Sequence, residues 1–193
     1  MDKDFLLKTY AQCYGPEAGP WNLSVENKYL EYLFAKFFED FFPVPWEAKF
    51  CNIGIGAGMW DRYLSYRLRG GGLVSIDRDE LCCRQLREGL ALEGNPNPVE
   101  VICADVMSLE YEGCFDIVTM VGSTKWESGQ GAAILEKAIS FVKPGGSLYY
   151  QSLDPNEDVL GVEEVCKCCK MKMEQYFREK TGELTAHFWK FSR

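Results

Sequence analysis

No stretch of this sequence approaches the run of about twenty apolar residues that a membrane-spanning helix needs. The opening residues, Met1-Asp2-Lys3-Asp4-Phe5, lack the basic-then-apolar order of a secretory leader, so an intracellular, cytoplasmic protein is expected. Positive charge is short: 21 Lys and Arg against 29 Asp and Glu leave a formal net charge of −8. That balance argues against a nucleic acid as main partner, because a polyanion is held by a basic surface. The arginines at 62, 67, 69, 78, 84 and 87 are read as a solvated helix surface. Histidine occurs once, at position 187, inside what reads as the last strand, where a core role is expected. Cysteine is not scarce, but its nine copies are odd in number and irregular in spacing. They suit a reducing compartment and duty as small hydrophobes rather than a disulfide framework. Cys166-x-Cys168-Cys169 lacks a second well-spaced pair, since Cys82 and Cys83 are adjacent on a helix, and no metal site is expected. Repeats, linkers and low-complexity tracts are missing too, so 193 residues read as one domain with a sizeable core.

What is present is organised around Phe50-Cys51-Asn52-Ile53-Gly54-Ile55-Gly56-Ala57-Gly58. An apolar run that breaks into alternating glycines reads as a buried strand turning sharply into a helix. Glycine permits positive φ, and its missing side chain lets a ligand approach the backbone. The helix opening near Met59 presents unpaired N–H groups towards that ligand. A dinucleotide fingerprint, G-x-G-x-x-G, would need its third glycine where Met59 stands, which disfavours a nicotinamide-dependent oxidoreductase.

Along the chain, residues 1–48 form an aromatic-rich, mostly helical cap and residues 49–193 the core. A short helix is expected from Asp4 to Tyr14 and a turn at Gly19-Pro20-Trp21. Ser24 then caps a helix whose stripe of Tyr29, Leu30, Leu33, Phe34, Phe37, Phe38 and Phe41 faces the core. Helices are expected over 60–68, 78–93 and 128–142, and strands over 73–77, 99–104, 115–121 and 147–153. A further helix capped by Asn156 or Asp158 runs towards Cys169, and a hairpin turning at Thr181-Gly182-Glu183 closes the chain. Strand–helix alternation on this scale means an α/β protein with a parallel sheet.

These landmarks resemble the class I S-adenosylmethionine-dependent methyltransferases from about Phe50 to Arg193. G-x-G-x-G, Asp77 at the next strand end, Ala104-Asp105-Val106, Phe115-Asp116-Ile117-Val118 and Val142-Lys143-Pro144-Gly145-Gly146 carry the likeness. The resemblance implies a Rossmann-like three-layer sandwich with a mostly parallel seven-stranded sheet, order 3-2-1-4-5-7-6, whose terminal hairpin brings in an antiparallel strand. It implies S-adenosylmethionine as cofactor and S-adenosylhomocysteine as product. Gly54, Gly56 and Gly58 would lie under the methionine portion, and Asp77 would accept both ribose hydroxyls. Asp105 would accept from the adenine amino group, while Arg78, Val106 or Met107 would cover the ring and Val121 would complete the pocket. Asn52 stands where family members often carry an acid that helps to hold the cofactor's amino-acid end. It can accept a hydrogen bond but brings no charge, so weaker cofactor affinity is one expectation.

Methyl transfer is an in-line displacement that relies largely on positioning, with a base required only where the acceptor must lose a proton. Aromatic faces suit a cationic sulfonium, which makes Tyr14, Trp21 and Trp126 candidates for the acceptor side. Asp154, after the fifth strand, is its best-placed carboxylate. Thr119 to Trp126 lacks the Asn/Asp-Pro-Pro-Tyr motif of amino-methylating enzymes that act on nucleic acid or protein amides, and the acidic residues of polyamine synthases. Lys125 is read as solvated. The reading is a methyltransferase for a small-molecule acceptor. The alternative is a non-catalytic module using the same fold to bind a partner, against which Asp77 and Asp105 argue.

Overall fold

The structure, a computed structural model, describes residues 25–122 and 124–193. The expected helix from Asp4, the turn at 19–21, the cap at Ser24 and the candidates Tyr14 and Trp21 lie outside them.

Helix α1 (Val25–Phe41) leads into β1 (Lys49–Ile53), α2 (Met59–Arg67), β2 (Gly72–Asp77), α3 (Glu80–Glu93) and β3 (Val99–Cys103). A 3₁₀ turn over Val106–Ser108 precedes β4 (Phe115–Met120), α4 (Thr124–Ser128) and α5 (Ala132–Phe141). The chain ends in β5 (Val142–Ser152), α6 (Val159–Cys168), β6 (Lys172–Thr181) and β7 (Leu184–Ser192). The seven strands lie in the order β3-β2-β1-β4-β5-β7-β6, as the resemblance implied. The first five run parallel, and β7 pairs antiparallel with β5 and with β6.

Alternation along the strands divides the core. Phe50, Leu73, Ile117, Tyr149 and Phe188 face α1 and α2, packing on Leu30, Phe34, Phe37, Phe38 and Leu64. Cys51, Ile53, Val118, Met120 and Tyr150 face the opposite layer, where Leu135, Ala138, Ile139 and Cys166 close over them. The α1 stripe is core as expected, except that Tyr29 turns outward to stack on Tyr32. Among the described residues no helix is long and apolar enough to cross a membrane.

Two boundaries differ from expectation for local reasons, and one expected pair of alternatives is resolved. The helix expected over 128–142 is α5, which starts only at Ala132, because Gly129 and Gly131, both at positive φ, separate it from the short α4 that precedes it. Lys143-Pro144-Gly145-Gly146 lies inside β5, where the pairing with β4 shifts register between Phe115 and Ile117. Gly146 packs so closely on the Asp116 and Lys143 carbonyls that a side chain would collide with backbone. Asp158, rather than Asn156, caps α6 by accepting the Gly161 N–H.

Candidate functional site

The sheet reverses its order between β1 and β4, and in open α/β sheets such a switch point opens a crevice at the carboxyl ends of the strands. A cavity of about 590 Å³ lies there, within the size range of small-molecule sites. Its walls come from the glycine turn, the ends of β2, β3 and β4, helix α4, and one face of α1.

The turn is built from glycine for identifiable reasons. Gly54, Gly56 and Gly58 all have positive φ, at 88°, 51° and 73°. At Gly54 a side chain would collide with the Thr124 hydroxyl; at Gly58 it would press on Leu86. At Gly56 a Cβ would meet nothing within 4 Å. Gly56 lines the cavity, so that space is open to a ligand. Gly58 then serves as the left-handed N-cap of α2, with no side chain capping the first turn.

Asp77 anchors this turn from the neighbouring strand. Its Oδ2 accepts the N–H groups of Ile55 at 2.7 Å and Gly56 at 3.2 Å, and its Oδ1 accepts that of Asp79 at 2.9 Å. Three of a carboxylate's roughly four acceptor sites are therefore taken by backbone. The sequence pattern suggests a ribose-binding role but not this second one, as the strut of the glycine turn. Asp105 caps the 3₁₀ turn by accepting the Met107 N–H at 2.9 Å. Arg78 reaches across to the Glu127 carbonyl at 3.3 Å.

Gly54, Gly56, Gly58, Asp77, Arg78, Asp105, Val106 and Val121 all line the cavity. Asn52 is not among the lining residues. It is fully buried beneath the turn, opposite Ser75 of β2 and Thr119 of β4 in the strand register. Its amide donates to Asp61 Oδ1 and to the Gly54 carbonyl, both at 2.9 Å, and its carbonyl oxygen accepts from Thr119 at 2.7 Å. Each polar atom is thus engaged within the protein. Asp61, on α2, is fully buried as well, and burial raises its carboxyl from 3.8 to about 7, with Ser75 and Asn52 pulling it back.

The acceptor-side candidates fare differently. Trp126 is 70% exposed and does not line the cavity. Asp154 does not line it either; its Oδ1 accepts the Asn156 N–H, while the preceding Leu153 reaches the cavity. Lys125 is not solvated but pairs with Glu157, which also accepts from Tyr150 at 2.6 Å. Burial alone would raise the Glu157 carboxyl, but Lys125, Ser152 and Tyr150 together hold it below its usual range. His187 is buried, and its Nδ1 shares a 2.9 Å hydrogen bond with Tyr176. No cluster of metal ligands occurs among the described residues.

Sequence reasoning missed Glu31, Phe34, Trp60, Tyr63 and Thr124, which also line the cavity. Phe34 reads as an ordinary core position because it is that too, and Trp60 and Tyr63 of the expected 60–68 helix pack against the same apolar cluster.

A glycine turn and acidic strand ends around a switch-point crevice define a ligand-binding protein of the Rossmann-like class. Residues 50–146, just over half of the chain, match a family model described as a methyltransferase domain. The chain belongs to that family, the class I S-adenosylmethionine-dependent methyltransferases. No curated protein matches it. Among solved structures it is similar to magnesium protoporphyrin IX methyltransferase from Synechocystis PCC 6803, which contains bound S-adenosylmethionine. That likeness has 12% identity and a TM-score of 0.69, over 100% of this chain and 98% of the other. It is similar to a SAM-dependent methyltransferase from Aquifex aeolicus, with 17% identity and a TM-score of 0.65 over 99% and 98%. It is also similar to the [4+2]-cyclase SpnF, with 12% identity and a TM-score of 0.71 over 84% and 80%. Identities this low show the fold. With a cyclase among the neighbours, activity has to be argued from residues.

Proposed function

We propose that this protein transfers the methyl group of S-adenosylmethionine to a small-molecule acceptor, releasing S-adenosylhomocysteine. The observation that carries the reading is the convergence of Gly56, Asp77, Arg78, Asp105 and Val106 on one cavity of about 590 Å³. The open space over Gly56 fits a ligand lying on the turn, and Asp77 and Asp105 retain acceptor capacity for hydroxyl and amino donors.

When bound, S-adenosylmethionine supplies an electrophilic methyl group on a sulfonium that departs as a neutral thioether. The chain's own contribution is positioning. Asp77 fixes the glycine turn and accepts a ribose hydroxyl at its remaining Oδ1 site; Asp105 accepts the adenine amino group; Arg78 and Val106 cover the ring. Val121, Leu153, Phe34 and Trp60 give the cavity an apolar wall that restricts the acceptor's approach. The small-molecule size of the cavity and the −8 net charge support a small acceptor over a nucleic acid. Eight described cysteines, all free, support a cytoplasmic setting.

The test is calorimetric titration with S-adenosylmethionine, S-adenosylhomocysteine and NAD. Micromolar binding of the first two, weakened on Asp77→Ala, supports the proposal. Tighter binding of NAD than of S-adenosylhomocysteine would sink it.

A further inference from the structure

We infer that Asp61 is a positioning residue for the cofactor, fixing two walls of the cavity, the glycine turn and the Trp60 indole, through Asn52. The inference rests on the methyltransferase reading and goes beyond it, because Asp61 does not itself line the cavity.

One peptide of the turn is held at both ends. The Gly54 carbonyl accepts the Asn52 amide at 2.9 Å, and the N–H of the same peptide, on Ile55, donates to Asp77 Oδ2 at 2.7 Å. Beneath it, donors line up in one direction. The Trp60 indole N–H donates to the Thr119 hydroxyl at 3.2 Å, Thr119 donates to the Asn52 carbonyl oxygen at 2.7 Å, and the Asn52 amide donates to Asp61 Oδ1 at 2.9 Å. Hydrogen bonds in such a chain polarise one another. Asn52, Asp61 and Thr119 are fully buried, out of reach of bulk solvent, whereas Gly54, Ile55 and Trp60 line the cavity. An acid is thus present beneath the turn, one hydrogen bond behind Asn52.

The strength of this network depends on the charge at its end. Asp61 Oδ2 is buried without a hydrogen-bond partner, and burial raises the carboxyl from 3.8 to about 7. The ionisable groups acting on it are Asp77 of β2 and Cys51 of β1. Ser75 and Thr119 present hydroxyls, while Arg62 and Arg67 of its own helix pair with Glu93 of α3 and Glu39 of α1. Ionised, Asp61 is the stronger acceptor, and it sets negative charge beneath a ligand portion that carries an ammonium group. Protonation removes both effects. Cofactor affinity therefore rises with pH through about 7 and levels off above it, and binding near that pH releases a proton. Stability runs the other way, since the same buried charge opposes folding.

Calorimetric titration with S-adenosylhomocysteine at pH 5.5 and pH 8 tests this on wild type, Asp61→Asn, Thr119→Val and Thr119→Ser. Wild type should bind roughly tenfold more tightly at pH 8, the equivalent of a one-unit shift of Asp61 in the complex. At pH 6.5 it should release a proton, seen as a binding heat that varies with the ionisation enthalpy of the buffer. Asp61→Asn should bind roughly tenfold more weakly than wild type at pH 8, almost alike at both pH values and without proton release, although it is the more stable protein. Thr119→Val, which cuts Trp60 from the chain, should lose affinity about threefold to tenfold at pH 8, and Thr119→Ser, which keeps the hydroxyl, should not. The wall's own carboxylates, Glu31, Asp77, Asp79, Asp105 and Glu127, remain in every variant, so a difference between variants does not come from them. A wild-type affinity that is flat with pH, a pH dependence or proton release that survives Asp61→Asn, or Thr119→Val binding as tightly as Thr119→Ser would overturn the inference. Failure of the wild type to bind S-adenosylhomocysteine at either pH would instead remove the methyltransferase reading, and this inference with it.

Discussion

Asp61→Asn is expected to stabilise this protein at neutral and alkaline pH. The carboxyl is fully buried on α2 against Asn52, and its Oδ2 has no hydrogen-bond partner. Among the described residues no cation pairs with it. Burial raises it from 3.8 to about 7, so the folded state binds the proton more tightly than the unfolded chain. The stability this contributes is complete below pH 4, declines as pH rises towards 7, and is absent above that. A shift of about 3 units at 1.4 kcal/mol each makes the cost of carrying the charge at pH 8 about 4 kcal/mol at most. An amide removes that charge and keeps an oxygen for the Asn52 donor. Urea denaturation of parent and variant at pH 5 and pH 8 measures the difference. The variant should gain about 2–4 kcal/mol at pH 8, clearly less at pH 5, and lose most of the parent's pH slope. Equal or lower stability at pH 8, with the slope retained, would refute the reasoning. Asp61 would then be ionised and held by interactions stronger than its burial.

Gly54→Ala and Gly56→Ala should separate fold from site. Gly54→Ala collides with Thr124 at φ 88° and should cost about 2–4 kcal/mol by denaturation, whereas Gly56→Ala faces open cavity and should cost about 1 kcal/mol of backbone strain yet weaken S-adenosylhomocysteine binding strongly. Asp77→Ala should lower cofactor affinity roughly tenfold to a hundredfold, and hydrogen exchange should quicken at the Ile55 and Gly56 amides that its carboxylate now accepts; unchanged exchange would remove its role as a strut. Glu157→Gln strands the Lys125 ammonium and should cost about 1–2 kcal/mol at pH 7 by thermal or urea melts. Because the Glu157 carboxyl titrates below its usual range, that difference should fade as pH drops through and below 4.5, and a difference persisting in acid would count against the pairing.

The sequence by itself determined the α/β class, the glycine turn, the acidic strand ends and the terminal hairpin. Each depends on local chemistry: glycine at positive φ, a carboxylate closing a strand, apolar periodicity, a turn at Gly182. Tertiary structure decided what those residues face. Only the pairing of β1 with both β2 and β4 sets Asn52 between Ser75 and Thr119, and only the packing of α2 brings Asp61 onto it, nine residues along the chain. The same holds for Glu31, which reads as one more charge on an amphipathic helix until α1 lies against the sheet and leaves it at the cavity wall. Sequence spacing reports which residues share a face of one element. Which face meets a ligand depends on contacts between elements far apart in the chain, and no local pattern encodes them.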